Sequence, residues 1–277
     1  MNAVALPRAH RANPLQRLWR WSARYAINAY GALALIYLFL PIGVMILFSF
    51  NAPRGKFNYV WQGFSLDAWL EPFKIRALSD AMALSLQIAF ISTLAATLLG
   101  TLIALALVRH RFRGRAATNL LIVLPLTTPE IVLGSSLLTL FLNAGVPLGL
   151  PTIVIAHIMF NISYVVVTVK ARLSGFDWTL EEAAMDLGAN EWRTFWKVTF
   201  PLILPGIVAA ALLAFALSID DFIITLFVSG QQVTFPKYVW GAARVSVPPQ
   251  INVMGTLILV TTVSLIGISS MLGRRRA

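Results

Sequence analysis

Long uncharged stretches dominate this chain, at 25–53, 81–108, 131–169, 198–219, 222–236 and 245–273. A helix that crosses a bilayer needs about 20 mostly apolar residues, and these stretches are of that order. The run 131–169 is too long for one span and holds turn signals at Asn143, Gly145, Pro147, Gly149 and Pro151, so it splits into two helices. A further helix begins near Ala117, after a basic cluster, and the fifth carries Asp220 and Asp221. The pattern predicts an all-α membrane protein with six transmembrane helices, at about 28–50, 81–107, 117–142, 151–170, 204–228 and 250–272. Residues 1–27 read as a basic cytoplasmic segment, 171–203 as a cytoplasmic loop and 273–277 as a basic tail.

Composition agrees with the pattern. Hydrophobic residues make up 58% of the 277 and charged residues 12%, against roughly 25% charged in a soluble domain. With no cysteine, disulfides and thiolate metal sites are excluded. The net charge of +11 invites a nucleic-acid reading until the positions are considered. Arg8, Arg11, Arg17, Arg20, Arg24, Arg109, Arg111, Arg113, Arg115, Lys170, Arg172, Arg193, Lys197 and Arg274, Arg275, Arg276 fall in one set of alternate segments. The opposite set holds Arg54, Lys56, Lys74, Arg76, Lys237 and Arg244. Positive charge is retained on the cytoplasmic side, so both termini are expected inside and nucleic acid is not a partner. The apolar run from Tyr25 to Phe50 exceeds the h-region of a signal peptide and is expected to remain as an anchor. Trp61, Trp69 and Trp240 suit the far interface, where aromatic rings sit at headgroup level.

Between the fourth and fifth helices, Thr179 stands three residues before Glu182, the spacing of a capping box. It predicts a short helix from about 180. Gly188 suits a left-handed stop, and Asn190 suits the cap of a second short helix. Glu181, Glu182 and Asp186 are expected to ring this knob with negative charge, while Ala183 and Ala184 give it a face that another protein can approach. A docking site and a plain connector both fit these residues.

Glu182-Ala183-Ala184, three residues, Gly188, nine residues, then Val198-Thr199-Phe200-Pro201 resembles the EAA signature of ABC importer permeases. Val198 and Phe200 are apolar departures from the Ile-x-Leu-Pro ending. The resemblance implies a type I ABC importer permease fold in a bacterial inner membrane, with the loop acting as a coupling helix seated in a separate ATPase. It also implies an ATPase dimer that carries the ATP and magnesium, a second permease subunit and an extracytoplasmic solute-binding protein. Ser49-Phe50-Asn51, Arg111-Phe112-Arg113-Gly114 and Ser218-Ile219-Asp220-Asp221 resemble the spermidine/putrescine branch. No G-x-x-x-x-G-K-[ST] loop occurs in the sequence, so no catalytic residues and no bound cofactor or metal are expected in this chain.

Glu130, Asp220 and Asp221 are the acids inside predicted spans, each costing about 2.5–3.5 kcal/mol at mid-bilayer. Glu130 directly follows Pro129, which has no N–H for the carbonyl of Pro125, so a broken or kinked helix is expected there. Adjacent helical residues point about 100° apart. Asp221 shares a face with Ser218 and Thr225 and is expected on the wetter side, with Asp220 pairing locally. His157, Asn161, Tyr164 and Thr168 form one polar stripe, whose use is either to line the path or to bond between helices. Intramembrane acids without intramembrane Lys or Arg favour a cationic substrate, and the branch resemblance makes it a polyamine. A self-contained cation channel or ion-coupled transporter using Glu130 and Asp221 is the alternative from a different class.

Overall fold

A computed structural model describes residues 14–274. Residues 1–13 of the expected N-terminal segment and 275–277 of the tail lie outside the described residues. Helix α1 (Pro14–Phe48) is followed by the short α2 (Asp67–Leu70) and the long α3 (Arg76–Arg109). Next come α4 (Arg115–Thr127), α5 (Glu130–Asn143) and α6 (Leu150–Leu173). The knob comprises α7 (Thr179–Asp186) and α8 (Glu191–Thr194), and a π-helical turn, Phe195–Thr199, leads from it into α9 (Phe200–Asp220). The chain ends with α10 (Ile223–Val228), α11 (Phe235–Val245) and α12 (Pro249–Arg274). Among the described residues there is no strand, only isolated bridges between Asn51 and Phe64 and between Phe57 and Val247.

Four helical stretches are long and apolar enough to cross a bilayer unaided: Tyr25–Phe48, Arg76–Arg109, Leu150–Leu173 and Glu191–Asp220. The third expected span is not one helix. It breaks at Thr128-Pro129, and α4 and α5 meet at 110°. The proline removes one backbone donor and forces the preceding residue into an extended conformation, as Thr128 shows with ψ 131°. The fifth expected span, 204–228, is also interrupted, because Asp221 is extended and ends α9, and helix resumes only at Ile223. The last helix has a shorter apolar part, Pro249–Ser264.

Helices α3, α6 and α9 form the centre, and their buried faces divide into two apolar blocks. Toward the knob, Ala96, Ala104 and Leu107 meet Val165, Val169, Leu173, Ile203, Ala210 and Ala214. Toward the other end, Ile88 meets Leu133, Phe141, Ile153, Phe160, Ile224 and Val228 from α5, α6 and α10. A third patch joins Leu78 and Met82 of α3 to Ile251 and Met254 of α12. Lipid gives apolar side chains no reason to leave it, so close helix contact relies on small residues. At Gly100 an added Cβ would lie 2.6 Å from Val165 Cγ1 and 3.3 Å from the Ile162 carbonyl oxygen.

At the end remote from the knob, polar groups are tied off locally. Asn51 Nδ2 donates to Asn58 Oδ1 at 2.6 Å and to the Val60 carbonyl, and Asn58 Nδ2 donates to the Phe48 carbonyl. Trp69 stacks on Phe50 and its Nε1–H donates to Ser49 Oγ, while Trp61 and Trp240 are exposed. Lys237 Nζ donates to Ser229 Oγ and to the carbonyls of Gly230 and Gln232, fastening α11 to the end of α10. Burial pushes the Lys237 ammonium below its ordinary pKa, and these acceptors compensate the lost hydration.

The α3–α6 contact at Gly100 has a direct test. Gly100→Leu overpacks it and is expected to cost about 1–3 kcal/mol, read as a lower unfolding midpoint of the purified chain in detergent.

Candidate functional site

The knob is built as the sequence suggests in two of its three joints. Gly188 has φ +86°, a left-handed conformation that a Cβ disfavours. Asn190 Oδ1 accepts the Arg193 N–H at 2.8 Å and caps α8. The expected Thr179–Glu182 capping box does not form. Instead, Asp177 Oδ1 accepts both the N–H and the hydroxyl of Thr179, at 3.1 and 2.7 Å. A carboxylate two residues upstream is the stronger acceptor for that first turn.

Glu182, Ala183, Asp186 and Gly188 lie exposed on the knob, and Ala184 is half-buried. Glu181 corrects the expectation of an acidic ring. It is only 4% exposed and turned inward, where it accepts from Arg109 at the end of α3 and from the Thr199 hydroxyl at the end of the π turn. Arg109 also lies over the Trp178 ring, 5.7 Å from its centroid. The exposed face is more apolar than its acids implied, with Leu187 90% and Trp192 72% exposed. Beside them Gly188, Asn190, Trp192, Arg193, Trp196 and Lys197 line a shallow groove. The sequence signal for both residues was their apolar character in a loop, which a helical reading assigns by default to packing.

Between the two apolar blocks lies a polar layer. His157 Nδ1 is 2.7 Å from Ser218 Oγ, and its Nε2 is 3.0 Å from Thr225 Oγ1 and 3.2 Å from Asp221 Oδ2. Ser218 Oγ in turn meets Ser92 Oγ of α3 at 2.9 Å. Asp221 accepts the Thr225 N–H and hydroxyl at 2.8 and 2.7 Å, and the Ile224 N–H at 3.3 Å. Its carboxylate thus caps the first turn of α10, where the helix break leaves backbone donors unpaired. Four segments, α3, α6, α9 and α10, are joined through one imidazole.

This layer reverses the expected roles of the two aspartates. Asp221 is buried and bonded, while Asp220 is exposed. Glu130 is exposed at the first turn of α5, just beyond the other helix break. Asn161 is fully buried, and its amide nitrogen and oxygen have no protein partner. Tyr164 is half-buried and set edge-on to Phe160 at 5.0 Å. Glu130 and Asp220 are thus exposed acids at the two helix breaks, while the Asp221 side chain and Asn161 are buried between helices.

Residues 96–276 match the family model described as binding-protein-dependent transport system inner membrane component. The chain belongs to that family. It is therefore the permease component of an ABC importer, a multi-pass protein of the inner membrane. It is 36% identical over 249 residues to the spermidine/putrescine transport system permease protein PotC of Haemophilus influenzae, covering 90% of this chain and 96% of that protein. It is 40% identical over 235 residues to the putrescine transport system permease protein PotI of Escherichia coli K12, covering 82% and 83%. In fold it is similar to a bacterial ABC transporter involved in import of the acidic polysaccharide alginate. The TM-score is 0.67 at 16% identity, over 94% of this chain and 99% of that one.

Within this permease, His157 holds the polar layer together. His157→Ala leaves Asp221, Ser218 and Thr225 without their shared partner and is expected to cost about 1–3 kcal/mol. Asp220→Asn at the exposed neighbour is expected to stay within about 0.5 kcal/mol. Thermal unfolding of the two variants in detergent, compared with the parent chain, measures the difference.

Proposed function

We propose that this chain imports polyamines by alternating access, as one of two permease subunits around a shared path. The observation that carries the cationic substrate is that Glu130 and Asp220 are both exposed and each stands at a helix break, Glu130 opening α5 and Asp220 closing α9. Two like charges in apolar surroundings raise one another's cost, and a flexible diammonium chain relieves both. Backbone carbonyls freed at Thr128-Pro129 add acceptors for an ammonium group. Two relatives, at 36% and 40% identity, are named for spermidine or putrescine transport, which supports the same substrate class.

In this reading the six spans 28–272 form the permease domain, with α4 and α5 together as the third and α12 as the last. The basic segments 1–27 and 273–277 and the loop 171–203 face the cytoplasm. The exposed residues Glu182, Ala183, Asp186 and Gly188, with Ala184, Leu187 and Trp192, meet a separate ATPase dimer that holds ATP and magnesium. A binding protein delivers substrate to the opposite face. Closure of the ATPases shifts the knob and rocks the helices.

Glu130→Gln and Asp220→Asn are each expected to lower putrescine uptake about tenfold, the size of one lost charge-assisted contact of about 1.5 kcal/mol. Their unfolding midpoints should stay close to that of the parent chain. Uptake of labelled putrescine by proteoliposomes carrying the complete importer tests this, and unchanged uptake in both variants overturns the substrate assignment. Gly188→Leu meets no atom of this chain where its Cβ would go. Its φ of +86° is strained for leucine by about 1–2 kcal/mol, and its side chain would stand on the docking face. It is expected to abolish coupled uptake while the isolated chain remains folded.

A further inference from the structure

Glu181 sits in the knob but takes no part in its exposed face. Its neighbours Glu182 and Ala183 point outward, whereas its own carboxylate is buried and divided between two partners. One oxygen accepts from Arg109, the last residue of α3. The other accepts from Thr199, the residue before α9. Arg109 is held in place by the Trp178 ring, and Trp178 packs edge-on against Phe176 at 4.7 Å. Besides the chain's own path through α8 and the π turn, the knob is thus tied to the ends of two membrane helices through one side chain.

We propose that Glu181 is a positioning residue for energy coupling, the pin that makes α7, α3 and α9 move as one body when the knob is pushed. The proposal rests on the reading of the knob as an ATPase-docking element and says how its motion is transmitted. A buried carboxylate with two charge-assisted or hydroxyl donors resists shear far better than apolar side-chain contacts, which slide at small cost. The helix-to-helix contacts of α7 are otherwise sparse, because its outward face is given to the partner.

The test uses the complete importer in proteoliposomes, with uptake and ATP hydrolysis measured on the same preparation. Glu181→Gln removes the charge opposite Arg109 and leaves an acceptor for Thr199. Thr199→Val keeps the shape of the turn and the ion pair but cuts the link to α9. Each is expected to leave ATPase co-purification and stimulated hydrolysis near the level of the parent complex, while substrate moved per ATP falls about fivefold, the size of a coupling loss near 1 kcal/mol. Arg109→Lys should recover part of the ratio lost in Arg109→Ala. The proposal is overturned if the ratio in both Glu181→Gln and Thr199→Val stays at the parent value. It is equally overturned if Glu181→Gln loses the ATPase, which would make it a docking residue. If the parent complex itself shows no ATP-dependent uptake, the importer reading fails and not the pin alone.

Discussion

Where the surrounding solvent is hydrocarbon, a polar group is satisfied by the protein or not at all, and this constraint organises the interior of the molecule. The helix break before α10 exposes backbone donors in the middle of the bundle. Asp221 accepts from them, His157 lies against Asp221, Ser218 and Thr225, and Ser92 completes the chain of contacts. The apolar blocks on either side of that layer rely mainly on small residues and dispersion, with hydrogen bonds added from Thr152 to the Val228 carbonyl and from Arg172 to the Leu202 carbonyl. The layer therefore fixes the relative height of α3, α6, α9 and α10, which apolar packing leaves free to slide.

Much of this architecture is legible in the sequence. Uncharged length marks the spans, Pro129 marks a break, and Gly188 and Asn190 mark the joints of the knob, because each of these signals acts through the local backbone. The roles of Asp220 and Asp221 are not legible in that way. Ser218, Asp221 and Thr225 do meet as the 100° spacing expects, but the place where they meet is filled by His157 from α6, which a reading along one helix does not report. Glu181 fails for a different reason. Its direction is set by Arg109, 72 residues earlier, and by Thr199, neither of which a local pattern reports. The capping box fails because Asp177 competes for the same donors with a full charge.

Acids divide between structure and work along the same line. Each buried carboxylate, Asp221 and Glu181, has donors from at least two elements or turns. Glu130 and Asp220 near the breaks and Glu182 and Asp186 on the knob are exposed. Exposure does not by itself free a carboxylate, since Asp177 is exposed and still caps the first turn of α7.

The π-helical turn Phe195–Thr199 carries a meaning of its own. Such a turn amounts to one residue spliced into an α-helix, and each residue rotates the remainder of the helix by about 100°. The azimuth of α9 relative to the knob is thus written as a count of residues and not as a contact. A lineage that lost a single position between Phe195 and Thr199 would keep its composition and hydropathy almost unchanged, yet disturb the fixed spacing of its signature and turn a different side of α9 toward its neighbours.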